Sequence, residues 1–297
     1  MRGSGGRAMI CAAALVLLSA PGNAQDGAIL PPDRHHTPPV ADPSAPRLSV
    51  ALMRTNLLRV EGGERAPFEL PDADMETVAT ISLGAILPLV RLAEWEGGGA
   101  ALVLEAKVFG RFRVQEPSRD DMGQDWIIAG GVEARHDAWS GRTMLSHRSS
   151  HLGDEFIEET GARRIEFGNE QVEVMAAYEA TGLGRFYGGG AWIFRSYLGW
   201  DSRLRALDVR DRAAVQLGVD REWRPFKDRR VGVWGGVDWQ AAERTSWRGA
   251  VAVAAGIGVG TSRTLRLVAR YYDGPSTMGQ FFLTGERTFA LELMGAL

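Results

Sequence analysis

Cysteine is nearly absent from the chain, lysine is scarce and histidines number five, and each shortage closes a class of function. The single cysteine, Cys11, lies in MRGSGGRAMICAAALVLLSAPGNAQ, where Arg2 and Arg7 precede an apolar run from Ala8 to Leu18 and a small-residue exit at Gly22, Asn23 and Ala24. That order predicts a secretory signal peptide over residues 1–24, with an apolar run too short to anchor as a membrane helix. Once the signal is removed no cysteine remains, which excludes disulfide staples and thiolate metal sites even in an oxidising compartment. Loss of two arginines leaves 32 basic residues against 37 acidic ones, a formal charge of −5, and this argues against a nucleic-acid partner. Of the basic residues only Lys107 and Lys227 are lysines. Also missing after Pro46 is any apolar stretch long enough for a membrane helix, or any long helical stripe.

Segment 25–46, QDGAILPPDRHHTPPVADPSAP, holds six prolines and little apolar content. It predicts a disordered periplasmic lead-in. His35 and His36 are adjacent in it and read as solvated rather than as metal ligands.

Beyond residue 46 period-two alternation takes over. Leu102, Leu104, Ala106, Val108 and Phe112 alternate with Glu105, Lys107, Arg111 and Arg113; Leu265, Leu267, Ala269 and Tyr271 alternate with Arg266 and Arg270. Twelve such segments follow: 47–60, 76–92, 100–115, 124–137, 143–151, 163–180, 184–199, 212–225, 230–241, 248–260, 264–272 and 286–297. The connections after odd-numbered segments are long and those after even-numbered ones short, such as SGR near 140 and TGLG near 182. An even strand count with this asymmetry predicts an all-β, antiparallel up-and-down transmembrane barrel over 47–297, with long loops outside and short turns in the periplasm.

Trp95, Trp126, Trp139, Trp200, Trp223 and Trp247 fall near segment ends, where aromatic girdles meet the membrane interfaces. The final segment, ERTFALELMGAL, looks like the closing strand of such barrels, with Leu297 in place of the usual terminal aromatic. Glu105, Lys107, Arg111, Arg113, Glu133, Arg135, Arg195, Asp238, Arg266, Arg270 and Glu292 are expected to fill a polar lumen, plugged or narrow and held by ion pairs. No cofactor is expected. The expected partners are the barrel-assembly machinery, outer-membrane lipid and lipopolysaccharide, and the location is the bacterial outer membrane.

The chemistry-rich stretch is LSHRSSHLGDEF, residues 145–156. Arg148 is costly in lipid, so it is assigned to the lumen with Met144, Ser146 and Ser150, leaving Leu145, His147, Ser149 and His151 outward near the outer interface. His147 and Ser149 then share a face, as a general base and a nucleophile must. The pair resembles the His-x-Ser element of outer-membrane phospholipase A and of barrel lipid A deacylases, which place Asn after Ser, whereas Ser150 and His151 follow here. Glu158 or Asn169 is the candidate third member. A second reading makes His151, Asp154 and Glu155 a calcium site or a lipopolysaccharide bridge at the rim, with Gly153 permitting the turn. A third makes Asp154 and Glu155 loop-shaping residues that pair with Arg163 and Arg164.

Three blocks, VADPSAPRLSV at 40–50, SHRSSHLGDEF at 146–156 and YYDGPSTMGQFF at 271–282, resemble the bacterial family catalogued as domain of unknown function 1207. The resemblance runs from about residue 40 to the end. It implies an outer-membrane-associated protein and brings no established reaction. Asp273, Gly274, Ser276 and Gln280 belong to a turn-rich loop on the same side of the barrel as SSHLGDE. The two blocks are expected to shape their loops independently, with a shared binding surface as the alternative. The functional expectation is a structural, binding or limited-transport barrel; the alternative is a lipid hydrolase using His147 and Ser149.

Overall fold

The computed structural model describes residues 41–45, 48–58, 76–114, 121–224, 230–260 and 265–295. The signal peptide, His35, His36, loop 61–75, Lys227 and Leu297 lie outside the described residues. Twelve antiparallel strands close into a barrel, each bonded to its sequence neighbours, with β1 (Leu48–Leu58) pairing β12 (Gly285–Gly295) to seal it. Between them run β2 (Glu76–Trp95), β3 (Gly98–Arg113), β4 (Asp121–His136), β5 (Trp139–Leu152), β6 (Gly168–Ala180) and β7 (Gly184–Ser196). β8 (Ala213–Trp223), β9 (Val231–Ala242), β10 (Ala250–Val259) and β11 (Leu265–Pro275) complete the wall. Closure pairs the backbone N–H and C=O groups between strands and leaves no sheet edge, the condition for a β-structure in hydrocarbon.

The alternation sorts the faces as expected. Phe289, Leu291 and Leu293 of β12 are exposed on the outside, while Thr288 and Glu292 are buried inside. Trp95, Trp139 and Trp223 stand at the short-turn end and Trp200 and Trp247 at the long-loop end, all exposed, as two girdles require. Several boundaries move. The turn between β4 and β5 is Asp137–Ala138, so β5 starts at Trp139 and the SGR triplet lies inside it. Asp137 takes a left-handed backbone (φ 50°), which a short aspartate tolerates. On the outer side, residues 163–167 are loop rather than strand, and β6 begins at Gly168. Two short helices, α1 (Asp154–Thr160) and α2 (Ser202–Ala206), sit in the loops after β5 and β7.

The lumen is filled by charge pairs. Arg111 and Glu286, both almost fully buried, meet at 2.9 Å, and Arg270 meets Glu292 at 2.9 Å. Lys107 meets Glu105 at 2.6 Å. Arg266 lies over the inward-turned Trp234 ring, 4.7 Å from its centroid. Arg113 reaches the rim instead and pairs with Glu159 of α1.

Two corrections follow. Residues 41–45, expected in a disordered periplasmic lead-in, lie inside the barrel: the Ala41 carbonyl accepts from Arg270 (2.7 Å), Asp42 accepts from Gln240 (3.1 Å), and Ala41 packs with Trp234, Ala254 and Val268. A buried carboxylate needs such partners, and the lumen supplies them where water otherwise would. Arg195, expected in the lumen, faces outward, because the register between β6 and β7 shifts by one residue after Glu170–Arg195. A bulge there turns the arginine over to the other face.

Candidate functional site

β5 carries the site on both its faces. Met144, Ser146 and Ser150 are buried inside with Arg148, while Leu145, His147 and His151 are exposed outside. Trp139 stacks on Tyr178 at the inner end of the strand, with ring centroids 4.7 Å apart. Ser149 stands ten residues further along; at ~3.3 Å per residue and a tilt of ~40° that is roughly 25 Å of height, the depth of the apolar band. The outward His147 and Ser149 therefore stand near the outer end of β5, on the long-loop side of the wall.

The carboxylate behind His147 is Glu170, directly opposite it in the β5–β6 register, with Oε1 3.9 Å from His147 Nδ1. The same oxygen accepts from the Tyr197 hydroxyl at 3.0 Å and lies 3.7 Å from Arg195. That bond to Glu170 is the chief cause that pushes the Tyr197 phenol pKa up. The Tyr197 ring stands edge-on to His147 and also to Trp200, and the Arg195 guanidinium lies over it at 5.1 Å. A Cβ on Gly168, the residue paired with Ser149, would come within 2.8 Å of the Tyr197 ring, so the ring closes over that glycine. Among the described residues the Ser149 hydroxyl makes no hydrogen bond.

Neither candidate third member is placed behind His147. Asn169 pairs with Arg148, faces the lumen, is 1 % exposed and donates to Asp211 at 3.4 Å. Glu158 lies exposed on α1. Glu170 was missed although the pattern carried it: Val172, Val174, Ala176 and Tyr178 alternate outward along β6, and two residues back from Val172 is Glu170. Arg195 escaped because bulges leave no period-two trace.

Asp154 opens α1 and pairs with Arg164, Glu155 follows it, and His151 points outward from β5. Among the described residues no group of three His, Cys, Asp or Glu side chains is arranged to hold a metal ion.

The SSHLGDE and DGPSTMGQ blocks meet inside the barrel mouth. Gln280 donates to the carbonyls of Ser150 (2.7 Å) and Ile165 (3.0 Å), accepts from the Ile165 amide (3.0 Å), and its own amide donates to Ser150 Oγ (3.0 Å). The Gly279 amide donates to Asp125 (3.0 Å), and Phe281 packs edge-on against Phe156 of α1. Both glycines are contact points: a Cβ at Gly279 would fall 2.7 Å from Ser150 Cβ, and one at Gly153 would fall 1.7 Å from the Asp121 carbonyl oxygen. Ser276 donates to Glu286 at 2.8 Å, while Asp273 turns outward and pairs with Arg287 at 2.8 Å.

The profile of the family described as "Protein of unknown function (DUF1207)" matches residues 24–289. No curated protein sequence matches the chain. Among solved structures, the outer membrane phospholipase of Salmonella typhi, a dimer with bound calcium, is 11 % identical, covers 84 % of this chain and 90 % of its own, and superposes with a TM-score of 0.55. Outer membrane phospholipase A from Escherichia coli is 11 % identical over 84 % of this chain and 95 % of its own, at a TM-score of 0.54. An active-site asparagine-to-alanine mutant of the Escherichia coli protein gives 11 %, 88 %, 93 % and 0.55. At such identity the likeness is one of fold: a closed twelve-stranded barrel of the outer-membrane kind.

Proposed function

The chain belongs to the DUF1207 family of proteins of unknown function, and from that premise we propose that it is an outer-membrane lipid ester hydrolase with Ser149 as nucleophile, His147 as base and Glu170 as the group that orients the histidine. The observation that carries this reading is the convergence of His147, Ser149 and Glu170 on one outward face, with Glu170 3.9 Å from His147 Nδ1. Ionisable groups on the lipid side of a barrel are costly and call for a reason. A carboxylate at Nδ1 leaves Nε2 free to take the serine proton. Ser149 Oγ would then attack the ester carbonyl, His147 would return the proton to the departing lysolipid oxygen, and water would release the acyl group by the same relay. Catalytic contacts are commonly loose before substrate binds, which accommodates an unbonded Ser149. The similar structures named as outer membrane phospholipases support the reading at the level of scaffold.

The test is fatty-acid release from phospholipid and lipopolysaccharide in mixed micelles by the refolded mature protein. Release that disappears in Ser149→Ala is expected; a wild type inactive across both lipids, or an active Ser149→Ala, overturns the reading. A second reading, a structural or binding barrel without turnover, is favoured by one observation, the lumen occupied by residues 41–45, and is what an inactive wild type would leave.

A further inference from the structure

We infer that the lumen beneath the outer loops holds one small oxyanion, a phosphate or a carboxylate, on the guanidinium of Arg248. A cavity of about 260 Å³ occupies the lumen, bounded on the outer side by Thr277–Gly279 and on the inner side by Pro43 and Ser44. Its outer part is cationic. Arg148, Arg244 and Arg248 all line it. Arg148 is answered by Asp125 and Arg244 by Asp211 at 3.1 Å. Arg248 donates to the Thr284 carbonyl at 3.1 Å, and among the described residues no carboxylate stands within ion-pair distance of it, Asp273 acting only at longer range. Three guanidinium groups thus share two directly paired carboxylates, with Arg248 half-buried at the edge of the lumen.

The crowding is visible in the packing. Arg148 and Arg244 lie over the same Phe167 ring, 5.2 and 6.0 Å from its centroid. Like charges held this close in a low-dielectric space repel, and an anion among them relieves the repulsion. Burial holds the pKa of Arg244 and of Arg248 below that of a free guanidinium.

An independent sign is Ser146. It is 7 % exposed, lines the same cavity, and its hydroxyl finds no hydrogen-bond partner. A buried hydroxyl left unpaired is costly, and a lumen that holds an oxyanion with its waters can supply the acceptor it lacks. The planar fork of Arg248 suits two oxygens of a carboxylate or phosphate, and the volume admits either with a few waters. The site is separate from the outward Ser149 face, so it stands or falls independently of hydrolysis.

The experiment refolds the mature barrel in detergent with inorganic phosphate in one arm and succinate in the other, desalts it, and counts retained anion by native mass spectrometry. Refolding in the presence of the probe removes any dependence on access through the loops. Wild type is expected to retain one equivalent from at least one arm and to unfold at a higher temperature with it; which arm retains tells phosphate from carboxylate. Arg248→Met should weaken retention about tenfold or more, whereas Arg91→Met, which removes an exposed arginine near the inner end of β2, away from the cavity, should retain as wild type does. Heat-modifiable migration in gels establishes that both variants fold. No retention from either arm by wild type, or equal retention by Arg248→Met, overturns the assignment.

Discussion

At the residue scale the outward and inward faces of β5 and β6 make opposite predictions for adjacent side chains. Glu170 faces His147 on the lipid side, whereas Asn169, one residue earlier, is buried against Asp211 in the lumen. Glu170→Gln keeps the shape and removes the charge that favours the imidazolium formed during acyl transfer. Esterase turnover should therefore fall roughly 10²–10⁴-fold with KM little changed, the range for loss of acid–base function. Asn169→Ala should leave turnover near wild type and cost stability instead, because it strips a buried donor from Asp211. Steady-state kinetics of the two refolded variants decide the matter, and reversed behaviour would place the orienting group on the other face. His147 and Ser149 were legible as a pair because alternation plus the cost of Arg148 in lipid fixes their face. Their partner depended on which β6 residue stands opposite, and register is a tertiary property set by turn position, here the Asp137–Ala138 turn and the loop ending at Gly168.

At the scale of elements, the outer loops are tied to one another more than to the rim. Gln280 bridges the loop after β11 to β5 and to Ile165 through three side-chain bonds, all lost when it is truncated. Gln280→Ala should cost about 3 kcal/mol locally, and the measurable result is faster proteolysis within 276–284 and 153–167 while the strands stay protected. Asp201 plays a matching part after β7: it caps α2 through the Arg203 amide (2.9 Å), and Arg203 in turn donates to the Arg164 carbonyl (2.6 Å). Its hydrogen bond from the Arg203 side chain holds the Asp201 carboxyl below the usual carboxylate range. A depressed folded-state pKa contributes stability above the unfolded value of ~3.9 and loses it as pH falls through the folded value. Amide protection across 202–212 should thus hold to about pH 4, decline below it, and become insensitive to pH over that range in Asp201→Asn. The strands were readable because lipid on one side and charge on the other impose a strict period of two. The loop contacts were not, since Gln280 and Gly279 bind partners 130 and 154 residues away in sequence.

At the scale of the whole molecule, the barrel is a wall with obstructions at two heights. Residues 41–45 are held in the lumen by Arg270 and Gln240, and 276–284 fold into the outer mouth on Asp125, Ser150 and Ile165. Obstructions along one path act as resistances in series, so current follows the narrower one that remains. Deletion of 41–45 alone should leave the outer cap in control, and Gln280→Ala alone should leave the inner segment in control. Each single change is expected to give little steady current in a planar bilayer, and their combination a stable conductance well above the sum of the two. The mutual dependence also separates a two-gate lumen from simple damage: a barrel weakened in its wall would leak in proportion to each lesion. Additive currents from the two changes, or a large current from either one, would show that the lumen is governed at one height only.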